Sequence, residues 1–503
     1  MAVATDLKSA ASPRAAAKAR APVAIVDIGS NSVRLVIYEN QMRNAATLQN
    51  EKAICGIGRD MVSTGRLHSE GCAEAFEVLA RFRIIADGLG VEAREAVATA
   101  AARDAVNGAE FVAKAERAWG SPIRVLAGED EARIAAEGVL AGIPGADGLV
   151  ADLGGGSLDM VSVRGGVTGK AFTLPFGPLR LMDMARGEPD RARDLVDKGI
   201  KDLPDLSSSA LYAVGGIWRS FARVDMEEQN YPLHVLQQYT IPRGRALRLC
   251  RVLAGLSRES VRKIKVVSKR RADALPYGAV VLERLLMAGD IKDVVISAYG
   301  LREGLFYARL SADDRAKDPL LEYAMGANER LARVPGHALE MTQWTQPLFE
   351  GEGAELRRIR EASAYFSDIG WRRHPDDRAV GAMGQVLTGP FAGADHRARA
   401  LIATSIFHRY SGDEDFPRDL IMAGLLDKDD EKRALKLGLA WRFAFSLSAS
   451  AVSELGHYRL RMTPAKIVLE VPTRREAIAG DPVQKRLGAL AEVFDRRGEI
   501  LVG

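Results

Sequence analysis

The sequence predicts an α/β protein in which two similar lobes face a shared cleft, followed by a helical half and a short return to β-structure. Three observations predict it. Residues 149–163, LVADLGGGSLDMVSV, run apolar, turn through three glycines and run apolar again, the pattern of a β-hairpin and not of a strand opening into a helix. Residues 23–38, VAIVDIGSNSVRLVIY, repeat that design with an acid at the same place and a small polar turn. From about Asp318 the composition shifts to Ala, Leu, Arg and Glu at helical spacing, until residues 465–471 and 499–502 become β-like again.

With 503 residues the chain exceeds one ordinary core, so three or four domains or subdomains are expected. Its 47% apolar and 27% charged content is that of a soluble globular protein, and a net charge of +4 is too small to imply nucleic acid. Three cysteines (Cys55, Cys72, Cys250) without CxxC spacing exclude a disulfide framework and a zinc site and suit a reducing compartment. Residues 1–20, Ala-rich and basic, read as a disordered tail, with a transit peptide as the alternative. No apolar run is long enough to span a bilayer, so the expected location is cytoplasmic, with neither a membrane nor a nucleic-acid partner.

Taken in order, the first hairpin offers Asp27 and a turn of Gly29, Ser30, Asn31 and Ser32. Ala75, Leu79, Phe82 and Ile85-Ala86 then mark a helix over residues 69–89. Residues 93–105 read as a strand running into a helix with Thr99 and Arg103; Arg103 either reaches a phosphate or sits on the surface. In residues 123–139, IRVLAGEDEARIAAEGV, a β-run over 123–126 ends at Gly128 and a helix opens with Glu129, Asp130 and Glu131. Acids there suit the helix macrodipole; alternatively, one faces the cleft as a general base. In the second hairpin Gly154, Gly155, Gly156 and Ser157 can form an anion-binding nest, and Asp152 and Asp159 flank it where a divalent cation can sit. No Gly-Lys-Ser/Thr ending follows, so this is not a Walker A loop. Residues 173–183 read as a strand leaving for a turn and a helix, and residues 211–224 as a strand, a Gly215-Gly216 turn and a helix. That second turn suits close approach to a ligand or simply tight packing. Residues 243–271 are basic, with Arg262, Lys263, Lys265, Lys269, Arg270 and Arg271 forming either a solvated face or a track for a polyanion. A strand over 294–298 and a helix from Leu305 close this half. The helical half holds five of the seven histidines, without metal-ligand spacing.

These stretches resemble the exopolyphosphatase / guanosine pentaphosphate phosphohydrolase (Ppx/GppA) family of the actin-like ATPase superfamily. The resemblance rests on VDIGSNSVRLVIY from Val26, ATAAARDA from Ala98, IRVLAGEDEARI from Ile123, VADLGGGSLDMV from Val150, AVGG from Ala213 and GLREGL from Gly300. It implies duplicated ribonuclease-H-like lobes over residues 21–140 and 141–310, an all-α HD-like domain over 311–455 and a small α/β segment over 456–503. It further implies Glu131 as catalytic base, Asp27 and Asp152 as holders of a divalent cation, usually magnesium, and the two turns and Arg103 as phosphate contacts. Asp159 stands where the family commonly has a glutamate, and Thr99 follows an alanine where relatives have a glycine. Ser367-Asp368 stands where an HD pair would have His-Asp, so the helical domain is read as structural, a channel wall or a dimer contact.

The expected reaction is metal-dependent, processive hydrolysis of the terminal phosphoanhydride bond of inorganic polyphosphate, releasing orthophosphate. Removal of the 5′ γ-phosphate of guanosine pentaphosphate (pppGpp, giving ppGpp) uses the same residues. A sugar or acetate kinase and a non-catalytic sensor of polyphosphate or ppGpp are the readings from other classes. The paired helices of the C-terminal half suit a homodimer.

Overall fold

The computed structural model describes residues 21–43, 45–412 and 424–503, so the expected N-terminal tail lies outside the described residues. The first hairpin forms as read: Val23–Ile28 (β1) and Val33–Tyr38 (β2) pair antiparallel, with Asp27 opposite Arg34. Thr47–Ala53 (β3) adds antiparallel to β2, while Ala93–Ala98 (β4) runs parallel beside β1 and Arg124–Val125 (β5) parallel beside β4. The sheet order is β3-β2-β1-β4-β5. β1 is buried on both faces, which is why it reads as a continuous apolar run. Ala24, Val26 and Ile28 face Ala75, Leu79 and Phe82 of the Ser69–Gly88 helix; Val23 and Ile25 face Leu305 and Phe306 of the Leu301–Ala308 helix.

The second lobe repeats the plan. Gly148–Leu153 (β6), Leu158–Arg164 (β7) and Val167–Leu174 (β8) form the antiparallel meander, with Asp152 opposite Asp159. Ser208–Val214 (β9) runs parallel to β6, Ile291–Ile296 (β11) runs parallel to β9, and Thr240–Pro242 (β10) closes the edge. The order β10-β11-β9-β6-β7-β8 contains the order of the first sheet with one strand added. One face packs on Trp218, Phe221 and Leu282, the other on Ala132, Ala136 and Val139 of the Gly128–Gly142 helix. Each sheet therefore turns one face to a helix that lies outside its own run of strands.

Several boundaries differ from the sequence reading, among them the strand expected over 294–298, which runs Ile291–Ile296. The β-run at 123–126 keeps only two strand residues. The last helix of this half starts at Leu301, one turn earlier than Leu305, because the Glu303 carboxylate accepts the Gly300 N–H at 2.9 Å and caps it. The C-terminal β-structure gains a third strand, described below.

The chain divides into two compact units between Ala316 and Lys317. The second unit consists of helices, among them Pro319–Leu331, Ala354–Phe366, His396–Ser411 and Lys428–Ser448, followed by a small sheet. In that sheet Arg459–Met462 (β12) pairs antiparallel with Lys466–Val471 (β13), and Arg497–Val502 (β14) lies parallel to β13, covered by the Asp481–Val493 helix. Asp368, beside Ser367, is buried with Arg333 at 2.7 Å and Arg409 at 3.6 Å, so two guanidiniums meet its charge. Among the described residues no helix is long and apolar enough to cross a membrane.

Candidate active site

The two hairpin turns close in the same way. Gly29 donates its N–H to the Ser32 carbonyl at 3.0 Å, and Gly154 donates to the Ser157 carbonyl at 3.0 Å. Carbonyls of the turns are tied outward, Ser30 and Asn31 to Gly58 and Gly56, and Gly155 to Leu179. The N–H groups of Ser30, Asn31, Gly155 and Gly156 donate to no backbone carbonyl among the described residues, which leaves them available to an anion. A third glycine turn joins them at the end of β9. Gly215 has φ 111°, and a Cβ there would lie 2.5 Å from the Leu153 carbonyl, so only glycine brings this helix start against the β6 turn.

These turns line one cavity of ≈ 190 Å³. Of the residues singled out in the sequence, Asp27, Gly29, Ser30, Asn31, Ser32, Glu131, Asp152, Gly154, Gly155, Gly156, Ser157, Gly215, Gly216, Arg270 and Arg271 all line it. Asp27 and Asp152 reach it from equivalent positions on β1 and β6, each on the face that alternation leaves free of the lobe's main core. Glu131 reaches it from the first turn of the Gly128–Gly142 helix.

Other expected residues lie elsewhere. Arg103 does not line the cavity: its guanidinium stands 3.6 Å from Glu131, donates to the Leu126 carbonyl at 3.0 Å and pairs with Asp104. Asp159 is buried beside the cavity, where its carboxylate accepts the Ser157 hydroxyl at 2.8 Å. Arg262 is turned to Asp273 at 3.1 Å and Lys263 to Glu259 at 2.7 Å; neither they nor Lys265 and Lys269 line the cavity.

Sequence reasoning missed Arg34, Lys52, Arg219, Arg302 and Glu303, all of which line the cavity. Arg34 had a signal: it sits opposite Asp27 as Asp159 sits opposite Asp152, so superposing the twin hairpins singles it out. Lys52 and Arg219 had none, because they arrive from an exposed edge strand and from inside a helix.

The cavity brings carboxylates and cations together. Burial, and then the Asp159, Asp152 and Asp27 carboxylates, hold Glu131 well above the usual carboxylate range, with Arg103 opposing them. Burial and the same crowding, from Asp159 and Asp27, push Asp152 up to about 7. Burial, then Arg34 and Arg302, lower Arg219 to about 10, and burial with Arg34 lowers Lys52 to about 8. Crowded carboxylates fit a hard cation bound through oxygen, and crowded guanidiniums fit a polyanion. Among the described residues no three His, Cys, Asp or Glu side chains converge into a complete metal site, so a cation held by Asp27 and Asp152 would need further oxygen ligands.

Residues 18–312 match the family model of the Ppx/GppA phosphatase family, and residues 326–501 match the model described as exopolyphosphatase, C-terminal. Retrograde regulation protein 2 of Saccharomyces cerevisiae is 27% identical over 475 residues, covering 82% of this chain and 77% of that protein. The solved structure of the Aquifex aeolicus PPX-GPPA enzyme is 26% identical with a TM-score of 0.51, over 57% of this chain and 98% of that one. An exopolyphosphatase structure from Cytophaga hutchinsonii, 23% identical with a TM-score of 0.53 over 57% of this chain and 97% of its own, shares the fold. With its twin-hairpin lobes and this match over more than half its length, the chain belongs to the Ppx/GppA phosphatase family.

Proposed function

We propose that this protein is an exopolyphosphatase that removes orthophosphate from the end of inorganic polyphosphate. The observation that carries the reading is one cavity holding Glu131, two anion-binding turns and six cations: Arg34, Lys52, Arg219, Arg270, Arg271 and Arg302. The terminal phosphate sits on the free N–H groups of the two turns, and the phosphates behind it lie along the cations. Glu131 takes a proton from water as the water oxygen bonds to the terminal phosphorus. The bridging P–O bond on the opposite side breaks, and the shortened chain leaves with the electron pair on its new terminal oxygen, stabilised by the guanidiniums. Arg103, 3.6 Å behind Glu131, orients that carboxylate. Asp27 and Asp152 are the residues that would hold a divalent cation, magnesium by the family's habit, which supplies neutralising charge beside the terminal phosphate.

The cavity's lining supports polyphosphate over pppGpp as substrate. Among the described residues it includes no aromatic side chain on which a purine would stack, and its cations suit repeated phosphates. The test is orthophosphate release with magnesium from long polyphosphate and from pppGpp, with Glu131→Gln beside the wild type. Faster release from polyphosphate, reduced by about a hundredfold or more in the variant, is expected. Preference for pppGpp would move the assignment to the nucleotide, and turnover untouched by Glu131→Gln would overturn the site.

A further inference from the structure

The two phosphate turns have a second side. Ser30, Asn31, Ala100, Gly155, Gly156 and Leu179 line the cavity described above and also line a neighbouring cavity of ≈ 330 Å³. The partition between the two is thin. A Cβ on Gly156 would stand 3.5 Å from the Ser30 hydroxyl, and one on Gly155 would stand 3.5 Å from the Leu179 side chain. The turns of the two lobes thus meet edge to edge, with only glycine backbone and the small Ser30 side chain at the seam between the cavities.

The cavities differ in charge. The first holds six cations with Asp27, Glu131, Asp152 and Glu303; the second holds Arg59 and Arg180 with Asp60, Asp104 and Asp183, and with Met61 and Met182. Asp104 is paired, 3.0 Å from Arg103 and 3.6 Å from Arg180, so Asp60 and Asp183 supply most of the uncompensated negative charge. A polyanion is drawn into the first cavity and repelled from the second.

This asymmetry bears on what happens after each cut, taking the exopolyphosphatase reading as given. The released orthophosphate lies at the turns with the remaining chain behind it, filling the cationic cavity. We propose that the second cavity is the exit for orthophosphate. Arg59 and Arg180 offer a small dianion brief partners along the way, while the acids keep it from staying and keep a second polyphosphate from entering. The chain then holds its seat between cuts, which processive hydrolysis requires, and the product leaves by a separate door.

Met182 lines only the second cavity, so Met182→Trp fills the exit without touching the catalytic residues. Rapid quenching counts all orthophosphate cleaved from long polyphosphate, and a phosphate-binding fluorescent reporter counts only what has left the protein. In the variant the first-turnover cleavage stays at the wild-type rate while free orthophosphate appears about tenfold more slowly. Asp183→Asn, which keeps the volume and removes a repulsive charge, lowers the inhibition constant of orthophosphate by about threefold. The second variant carries the test if the first does not fold. Cleavage and release slowed together in Met182→Trp, or not slowed at all, with an unchanged inhibition constant in Asp183→Asn, overturns the exit while the exopolyphosphatase reading stands. A wild-type protein that cleaves no polyphosphate overturns both.

Discussion

Glu131 is held in a place where its charge is unwelcome. It is buried, its Oε2 atom has no hydrogen-bond partner, and three carboxylates surround it against a single guanidinium. A base of this kind is strong when ionised but stays protonated at low pH, so activity rises as pH climbs through its raised pKa. Asp159 is the largest of the charged contributors to that rise, after burial. Asp159→Asn therefore lowers the Glu131 pKa and extends activity to lower pH, read as a shift of the acid limb of kcat/KM against pH. Were Asp159 instead a cation ligand, the same variant would raise the magnesium concentration needed and leave the limb in place. The sequence marks Glu131 only through a family pattern; on spacing alone Glu129, Asp130 and Glu131 were equivalent. Folding separates them, leaving Glu129 and Asp130 exposed against Arg133 and turning Glu131 inward.

At the scale of elements, the site depends on two helices that cross. The Gly128–Gly142 helix brings Glu131, and the Leu301–Ala308 helix brings Arg302 and Glu303. They meet backbone to backbone: a Cβ on Gly138 would lie 2.0 Å from the Gly300 carbonyl, and one on Gly304 would lie 1.8 Å from the Ile134 carbonyl. Tyr38 and Phe306, with ring centroids 4.1 Å apart, then lock the second helix to β2. Gly304→Ala forces the helices apart and costs about 3 kcal/mol of stability, measurable by urea unfolding. It also lowers kcat, because Glu131 and Arg302 no longer hold their spacing. The motif GLREGL was visible in the sequence, but the partner of Gly304 was not, since Ile134 and Gly138 lie far off in the chain.

Over the whole molecule, a net charge of only +4 conceals a concentrated field. The six cations of the cavity come from β2, β3 and three separate helices, so no window of the sequence shows them together. The basic run over residues 262–271 splits on folding: Arg270 and Arg271 join the cavity, and Arg262 and Lys263 spend their charge on surface acids. A longer substrate meets more of this field. The KM for long polyphosphate should therefore rise more steeply with salt than the KM for tripolyphosphate, by analogy with nucleic-acid phosphates. Arg271→Ala should flatten that slope, and equal slopes for both substrates would remove the cations from the chain's path.

What the sequence determined by itself was the pair of hairpins, their acids and their glycine or serine turns. Those features are local: strand alternation, turn chemistry and the position of an acid are set within a dozen or so residues, and the duplication made each copy a check on the other. Tertiary structure alone decided which charges share a cavity. Lys52 and Arg219 join Arg34 through packing of distant elements, and Arg103 stands 3.6 Å from Glu131. Electrostatic energy depends on distance through space, and the sequence records only distance along the chain.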